Sequence, residues 1–179
     1  YPEHWPEDLW QTDAEQMINL GLKWVRIGEF SWSRLEPKEN EFSFEWLDRA
    51  IETLGKVGLS IILGTPTATP PTWVIKKYPD MLALDADGRP RGFGSRRHYC
   101  FSHEGYRNQC SKIVRKLAER YGSNLYIQAW QTDNEYGCHD TTISYSSSAL
   151  KSFQSWLAKI YGNDVNKLNE EWGNVFWSM

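Results

Sequence analysis

Three short runs of aliphatic and β-branched residues, each closed by polar and aromatic side chains, constrain this chain most. Trp24-Val25-Arg26-Ile27-Gly28 follows Gly21 and gives way to Glu29-Phe30-Ser31-Trp32. Leu59-Ser60-Ile61-Ile62-Leu63 follows Gly58 and runs into Gly64-Thr65-Pro66. Leu125-Tyr126-Ile127-Gln128-Ala129-Trp130 leads into Gln131-Thr132-Asp133-Asn134-Glu135. Short runs of this composition predict strands buried on both faces. Helical spacing fills the intervals. Phe44, Leu47, Ile51 and Leu54 keep one face apolar, and so do Tyr106, Cys110, Ile113, Val114, Leu117 and Tyr121, ahead of Gly122 at a C′ position. Leu150, Phe153, Trp156, Leu157 and Ile160 repeat the pattern up to Tyr161-Gly162. An earlier helix is predicted over Asp13 to Leu20, with Thr12 and Glu15 as a capping box and Gly21 closing it.

Strand and helix in alternation imply parallel strands joined by right-handed crossovers. A doubly wound open sheet and a (β/α)8 barrel both fit. No glycine-rich phosphate-binding pattern follows any strand, which lowers the first. Polar and aromatic residues crowd the strand C-termini, the active-site face of a barrel. A complete barrel takes about 250 residues, so the 179 residues here amount to part of one. Between Gly64 and Glu104 lies the longest stretch without strong periodicity. Its prolines and aromatics (Pro70-Pro71-Thr72-Trp73, Tyr78-Pro79, Arg96-Arg97-His98-Tyr99) predict an ordered flap over the site.

The net charge is −3 with Lys and Arg scattered, which argues against nucleic-acid and membrane-surface partners. No apolar run approaches the roughly 20 residues that span a bilayer. Cys100, Cys110 and Cys138 are odd in number and irregularly spaced, which argues against a disulfide framework and favours a reducing compartment. Aromatic residues make up 15% of the chain. They suit the flat C–H faces of sugars, but composition alone reads as core filling.

Asn134-Glu135 at a strand end is the sharpest chemical feature. Retaining glycosidases use two carboxyls about 5–5.5 Å apart, one as acid/base and one as nucleophile, and the acid must hold its proton near neutrality. A strand end holds such a carboxyl rigidly at a cleft, and a preceding Asn can hydrogen-bond the sugar 2-OH. As a bare dipeptide, Asn-Glu reads equally as an exposed turn.

The surrounding motifs narrow that choice. Tyr1-Pro2-Glu3-His4-Trp5-Pro6, Val25-Arg26-Ile27-Gly28-Glu29-Phe30-Ser31-Trp32-Ser33, Leu35-Glu36-Pro37 and Leu63-Gly64-Thr65-Pro66-Thr67-Ala68-Thr69-Pro70-Pro71-Thr72-Trp73 come first. Gly94-Ser95-Arg96-Arg97-His98-Tyr99-Cys100, Trp130-Gln131-Thr132-Asp133-Asn134-Glu135-Tyr136-Gly137 and the tail Leu168-Asn169-Glu170-Glu171-Trp172-Gly173 follow. In this order they resemble the β-galactosidases of glycoside hydrolase family 42 over essentially the whole chain. The resemblance implies a fold of the α/β class, a (β/α)8 TIM barrel of which residues 1–179 are the N-terminal part, roughly the first half, from the end of strand 1 to beyond strand 4. It implies a retaining hydrolase that releases terminal β-D-galactose from β-galactosides, with Glu135 as acid/base and Asn134 and Arg96 as sugar-binding residues. The parent enzyme is expected to be cytoplasmic and a homo-oligomer, often a trimer, with no organic cofactor. Trp32, Trp73, Tyr136, His4 and His98 fall in these motifs and divide between cleft lining and packing. Glu29 is expected to bond Arg96.

Two departures stand out. The family nucleophile is a Glu at the end of the seventh strand, beyond Met179, and the first strand precedes Tyr1. The polypeptide alone is therefore expected to lack turnover, and an open half-barrel to aggregate or dimerise through its strand edges and apolar helix faces. Some family members also bind a structural zinc through one Cys in the flap and three close Cys after the Asn-Glu motif. Cys100 matches the first, but Ile143-Ser144-Tyr145-Ser146-Ser147-Ser148-Ala149 offers no thiolate, so no zinc is expected, with Cys138 and His139 as packing residues. Two readings of other kinds stay open: a non-catalytic carbohydrate-binding half-barrel, and another retaining β-glycanase with the same Asn-Glu arrangement.

Overall fold

The computed structural model describes residues 1–94, 96–138 and 142–179. Three parallel strands, β1 (Trp24–Ile27), β2 (Ser60–Gly64) and β3 (Ile127–Gln131), form one sheet in the order β1-β2-β3. Trp24 pairs with Ser60 and Ile27 with Leu63; Leu63 in turn pairs with Trp130, beyond a register shift next to Ile61. The helices are α1 (Trp10–Asn19), α2 (Trp32–Leu35), α3 (Glu45–Lys56), α4 (Thr72–Lys77), α5 (Glu104–Tyr121), α6 (Ser147–Tyr161) and α7 (Val165–Trp172). The crossover from β1 to β2 runs through α3, and that from β2 to β3 through α5. Strand, helix and parallel neighbour therefore repeat as expected.

Apolar spacing explains why α3 and α5 lie where they do. Leu47, Ile51 and Leu54 of α3 and Ile113 and Leu117 of α5 enter one core with Ile27, Ile61 and Leu63. Each such aliphatic side chain contributes roughly 1.5–3 kcal/mol on full burial. Acidic Glu45 and Asp48 open α3 and Lys56 closes it, which complements the helix dipole.

Local details differ from the sequence reading in three places. The first helix starts at Trp10, after a 3-10 turn over Glu7–Leu9, so Thr12 lies inside it and caps nothing. Burial of the Trp10 indole draws that start upstream. Its end does follow expectation: Gly21 takes φ 82°, and Gly21 N–H and Leu22 N–H donate to Ile18 and Met17 carbonyls, a Schellman closure. Gly122 is right-handed instead (φ −60°), and the reason for glycine there is space, since a Cβ would sit 2.7 Å from the Ala118 carbonyl oxygen. Finally, burial on both faces does not extend to β1 and β3. Trp24 of β1 and Trp130 of β3 are exposed, as is Leu125 just before β3; among the described residues β1 and β3 are the sheet edges and only β2 has a strand on each side.

The stretch from Gly64 to Glu104 is ordered by its own contacts: 3-10 turns over Pro66–Ala68 and Pro79–Met81, α4, and bridges pairing Leu82 with Tyr99 and Leu84 with Pro90. Val74, Met81, Ala83 and Tyr99 are fully buried. The pair α6–α7 holds a second, small cluster of Leu157, Tyr161 and Leu168. Ser146 caps α6 and Asp164 caps α7 through their side-chain oxygens. Among the described residues, no helix is long and apolar enough to cross a membrane.

Candidate active site

The turn that follows β3 is built around one carboxylate. Asp133 and Glu135 are both left-handed (φ 63° and 53°), with Asn134 between them. Non-glycine residues adopt that conformation at a cost of roughly 1 kcal/mol or more each, so neighbours must hold it. Asp133 Oδ2 accepts from Thr67 Oγ1 at 2.7 Å, and Oδ1 accepts from Asn134 N–H at 2.6 Å and from Arg97 Nη2 at 3.1 Å. Asp133 N–H donates to Thr65 Oγ1 at 2.7 Å. Thr65 N–H in turn donates to the Gln131 carbonyl at 2.9 Å, and Tyr106 O–H donates to that of Thr67 at 2.8 Å. Asp133 and Arg97 are both buried, so each charge is tolerable only because the other neutralises it; hydrogen bonds engage both Asp133 oxygens, while Arg97 Nη1 is buried without one.

Beyond this buried knot the chain turns outward. Glu135 stands on the open rim and accepts from Arg96 Nη1 at 3.1 Å, the two side chains being 47% and 39% exposed. Arg96 also lies over the Phe30 ring, at 5.2 Å, so the flap, the end of β1 and the end of β3 meet there. Asn134 is buried and its Oδ1 accepts from Gln131 Nε2 at 3.2 Å. Of the three sequence-predicted site residues, Arg96 and Glu135 therefore meet side chain to side chain, while Asn134, next to Glu135 in the chain, is buried and bonded to Gln131 instead. Glu29 does not join them through Arg96. Its Oε1 accepts from Arg26 Nε at 2.9 Å, three residues back on β1, while Arg96 is taken by Glu135; Glu29 Oε2 is buried without a partner.

The family model for β-galactosidases, glycoside hydrolase family 42, matches residues 1–179. This chain belongs to family 42. It is 52% identical to a β-galactosidase of Thermus thermophilus, over 99% of the chain and 27% of that protein. The β-galactosidase structure from the psychrophilic Marinomonas ef1 superposes with a TM-score of 0.94 at 54% identity, covering 99% of this chain and 27% of the other. The enzyme of the Antarctic haloarchaeon Halorubrum lacusprofundi follows with 0.92 at 48%, covering 99% and 26%. The chain thus spans about a quarter of the relatives it matches.

Within this family 42 chain the motif aromatics divide. Trp32 is core: it is fully buried and its indole N–H donates to Glu36 Oε2 at 3.1 Å. Trp73 packs against that core and donates to the Glu36 carbonyl at 2.9 Å. Tyr136 is exposed, its ring 5.4 Å from the Arg97 guanidinium. His98 is buried beside Phe93 and Tyr99, and His4 is exposed. Glu36, which sequence reasoning passed over, is a fully buried anchor that accepts from Lys112 Nζ at 2.6 Å and Asn40 N–H at 2.9 Å. Arg97, Thr65, Thr67 and Asp133 were likewise missed as individuals. Their place within the motifs was the only signal.

The donor set does not fit the thiolate zinc site of some family members. Cys100 is a buried free thiol, and nothing in residues 143–149 supplies a second sulfur. Among the described residues no group of three or more His, Cys, Asp and Glu is placed to hold a metal. His139, like Ser95 of the flap motif, lies outside the described residues. Cys110 is no nucleophile, since burial pushes its thiol up to about 12.

Proposed function

We propose that these residues are the acid/base half of a retaining β-galactosidase, with Glu135 as the proton donor and acceptor. The observation that carries this is Glu135 itself: a carboxyl on an exposed strand-end rim, held in a left-handed turn, with an arginine across from it and a buried Asn before it. Glu135 gives its proton to the glycosidic oxygen as the anomeric C–O bond breaks and a nucleophilic carboxylate bonds the anomeric carbon. Glu135 then takes a proton from water, which attacks that carbon and releases galactose with its configuration retained. Asp133 is unsuited to the nucleophile's role, because both its oxygens are engaged in buried hydrogen bonds. The nucleophile belongs to chain outside residues 1–179, at the end of a later strand. Asn134 and Arg96 bind sugar hydroxyls, Arg96 with the forked donors suited to that task.

On the same reading the described strands are the second to fourth of a (β/α)8 barrel, and residues 1–179 are part of its catalytic domain. A cytoplasmic, trimeric parent enzyme follows from the family resemblance alone. The test is Glu135→Gln in the full-length protein that carries this sequence. Its kcat/KM should fall by roughly 100-fold or more on alkyl β-galactosides and little on a dinitrophenyl β-galactoside, whose leaving group needs no proton. Unchanged rates on the alkyl substrates would end the assignment. The 179 residues by themselves should show no turnover on either.

A further inference from the structure

We propose that Asp133 is a positioning residue for the acid/base carboxyl, acting as the keystone that converts the end of β3 into the turn presenting Glu135. The inference rests on the reading of Glu135 given above and extends it one layer inward. Three separate segments close on the Asp133 carboxylate, Thr67 after β2, Arg97 from the flap and the Asn134 amide of its own turn, while Thr65 Oγ1 accepts from the Asp133 backbone N–H. Asp133 and Arg97 are 36 residues apart and Thr67 and Asp133 are 66 apart.

The arrangement is interleaved. Two adjacent arginines of the flap meet two carboxylates of the turn, Arg97 with Asp133 in the interior and Arg96 with Glu135 at the rim. Arg97 is itself left-handed (φ 61°), so its backbone turns where the two guanidinium groups part. The inner pair is shielded from water and the outer is half exposed. An exposed pair between long side chains fixes little by itself. The rigidity of Glu135 must come from the buried one, through Asn134, the single residue that separates Asp133 from Glu135 along the chain.

Displacing the acid by about 1 Å is enough to cost catalysis heavily, since proton transfer needs hydrogen-bond geometry. Aiming an acid leaves a signature that general loosening of the fold does not. The rate should come to depend steeply on the leaving group. In the full-length protein, kcat/KM, which reports the first bond cleavage, would be measured for Asp133→Asn across aryl and alkyl β-galactosides of graded leaving-group acidity. We expect a loss of roughly 10- to 100-fold on the poorest leaving groups and less than about threefold on dinitrophenyl, the same steepening as Glu135→Gln in milder form. Thr67→Val, which removes a single hydrogen bond to Oδ2, should steepen the dependence in the same direction and serves as the test should Asp133→Asn not fold. An equal loss on every substrate, or no loss, overturns the proposal while leaving Glu135 intact. A flat dependence in Glu135→Gln overturns the acid/base reading, and this one with it.

Discussion

Both carboxylate oxygens of Glu3 are buried with no hydrogen bond of good geometry. Burial is the main reason its pKa stands above the ordinary carboxylate value; its own backbone amide relieves part of this, and the charge of Glu29 adds to it. An acid whose folded pKa is raised favours folding below its ordinary pKa and loses that contribution as pH rises through the folded value. Glu3→Gln should therefore raise the melting temperature at neutral pH, with the gain vanishing near about pH 4. Asp48 has the opposite sign. Hydrogen bonds from Arg120 first, then from Tyr121, hold its pKa below the ordinary value despite partial burial. That contribution is present above the ordinary pKa and lost as pH falls through the depressed one. Asp48→Asn should destabilise at neutral pH by about 1 kcal/mol or less, because solvent screens the pair, and the difference from the parent should close in acid. Thermal melts of the full-length protein across the range check both signs. Neither residue was singled out by the sequence, because partnerless oxygens and cross-helix ion pairs have no local pattern.

Strands and helices were largely legible, because aliphatic runs and helical spacing are local properties. What escaped was where they end and which sides they cover. The approach of β1 to β2 at the rim shows why. A Cβ on Gly64 would lie 2.7 Å from Glu29 Cβ and 2.9 Å from its Cα, so the two strand ends come together only over a glycine. Gly64→Ala should destabilise by about 1–3 kcal/mol and shift the rim. Gly92→Ala, where an added Cβ meets nothing within 4 Å, should stay within about 0.5 kcal/mol. Denaturant unfolding of the two variants of the full-length protein, side by side, decides. The helix α6 makes a similar point: Leu150, Phe153, Trp156 and Ile160 share an apolar face as the spacing predicts, yet each remains exposed, since the small α6–α7 cluster takes in Leu157 instead.

At the scale of the molecule, exposed Trp24, Trp130, Phe153, Trp156 and Trp177 join two unpaired strand edges. Apolar surface and open edges of that kind drive association. The 179 residues produced alone should elute as oligomers or aggregates by light scattering, and a monomer with a cooperative melt would contradict this. By itself the sequence determined the alternation of parallel strands and helices and the family, because periodicity and ordered motifs are written along the chain. Only the tertiary structure decided that Arg97 rather than Arg96 goes inside, that Glu29 pairs with Arg26, and that Asp133 gathers three segments. Those outcomes depend on which groups lose their water when distant stretches close on one another, and burial of a charge has no signature until its partner arrives.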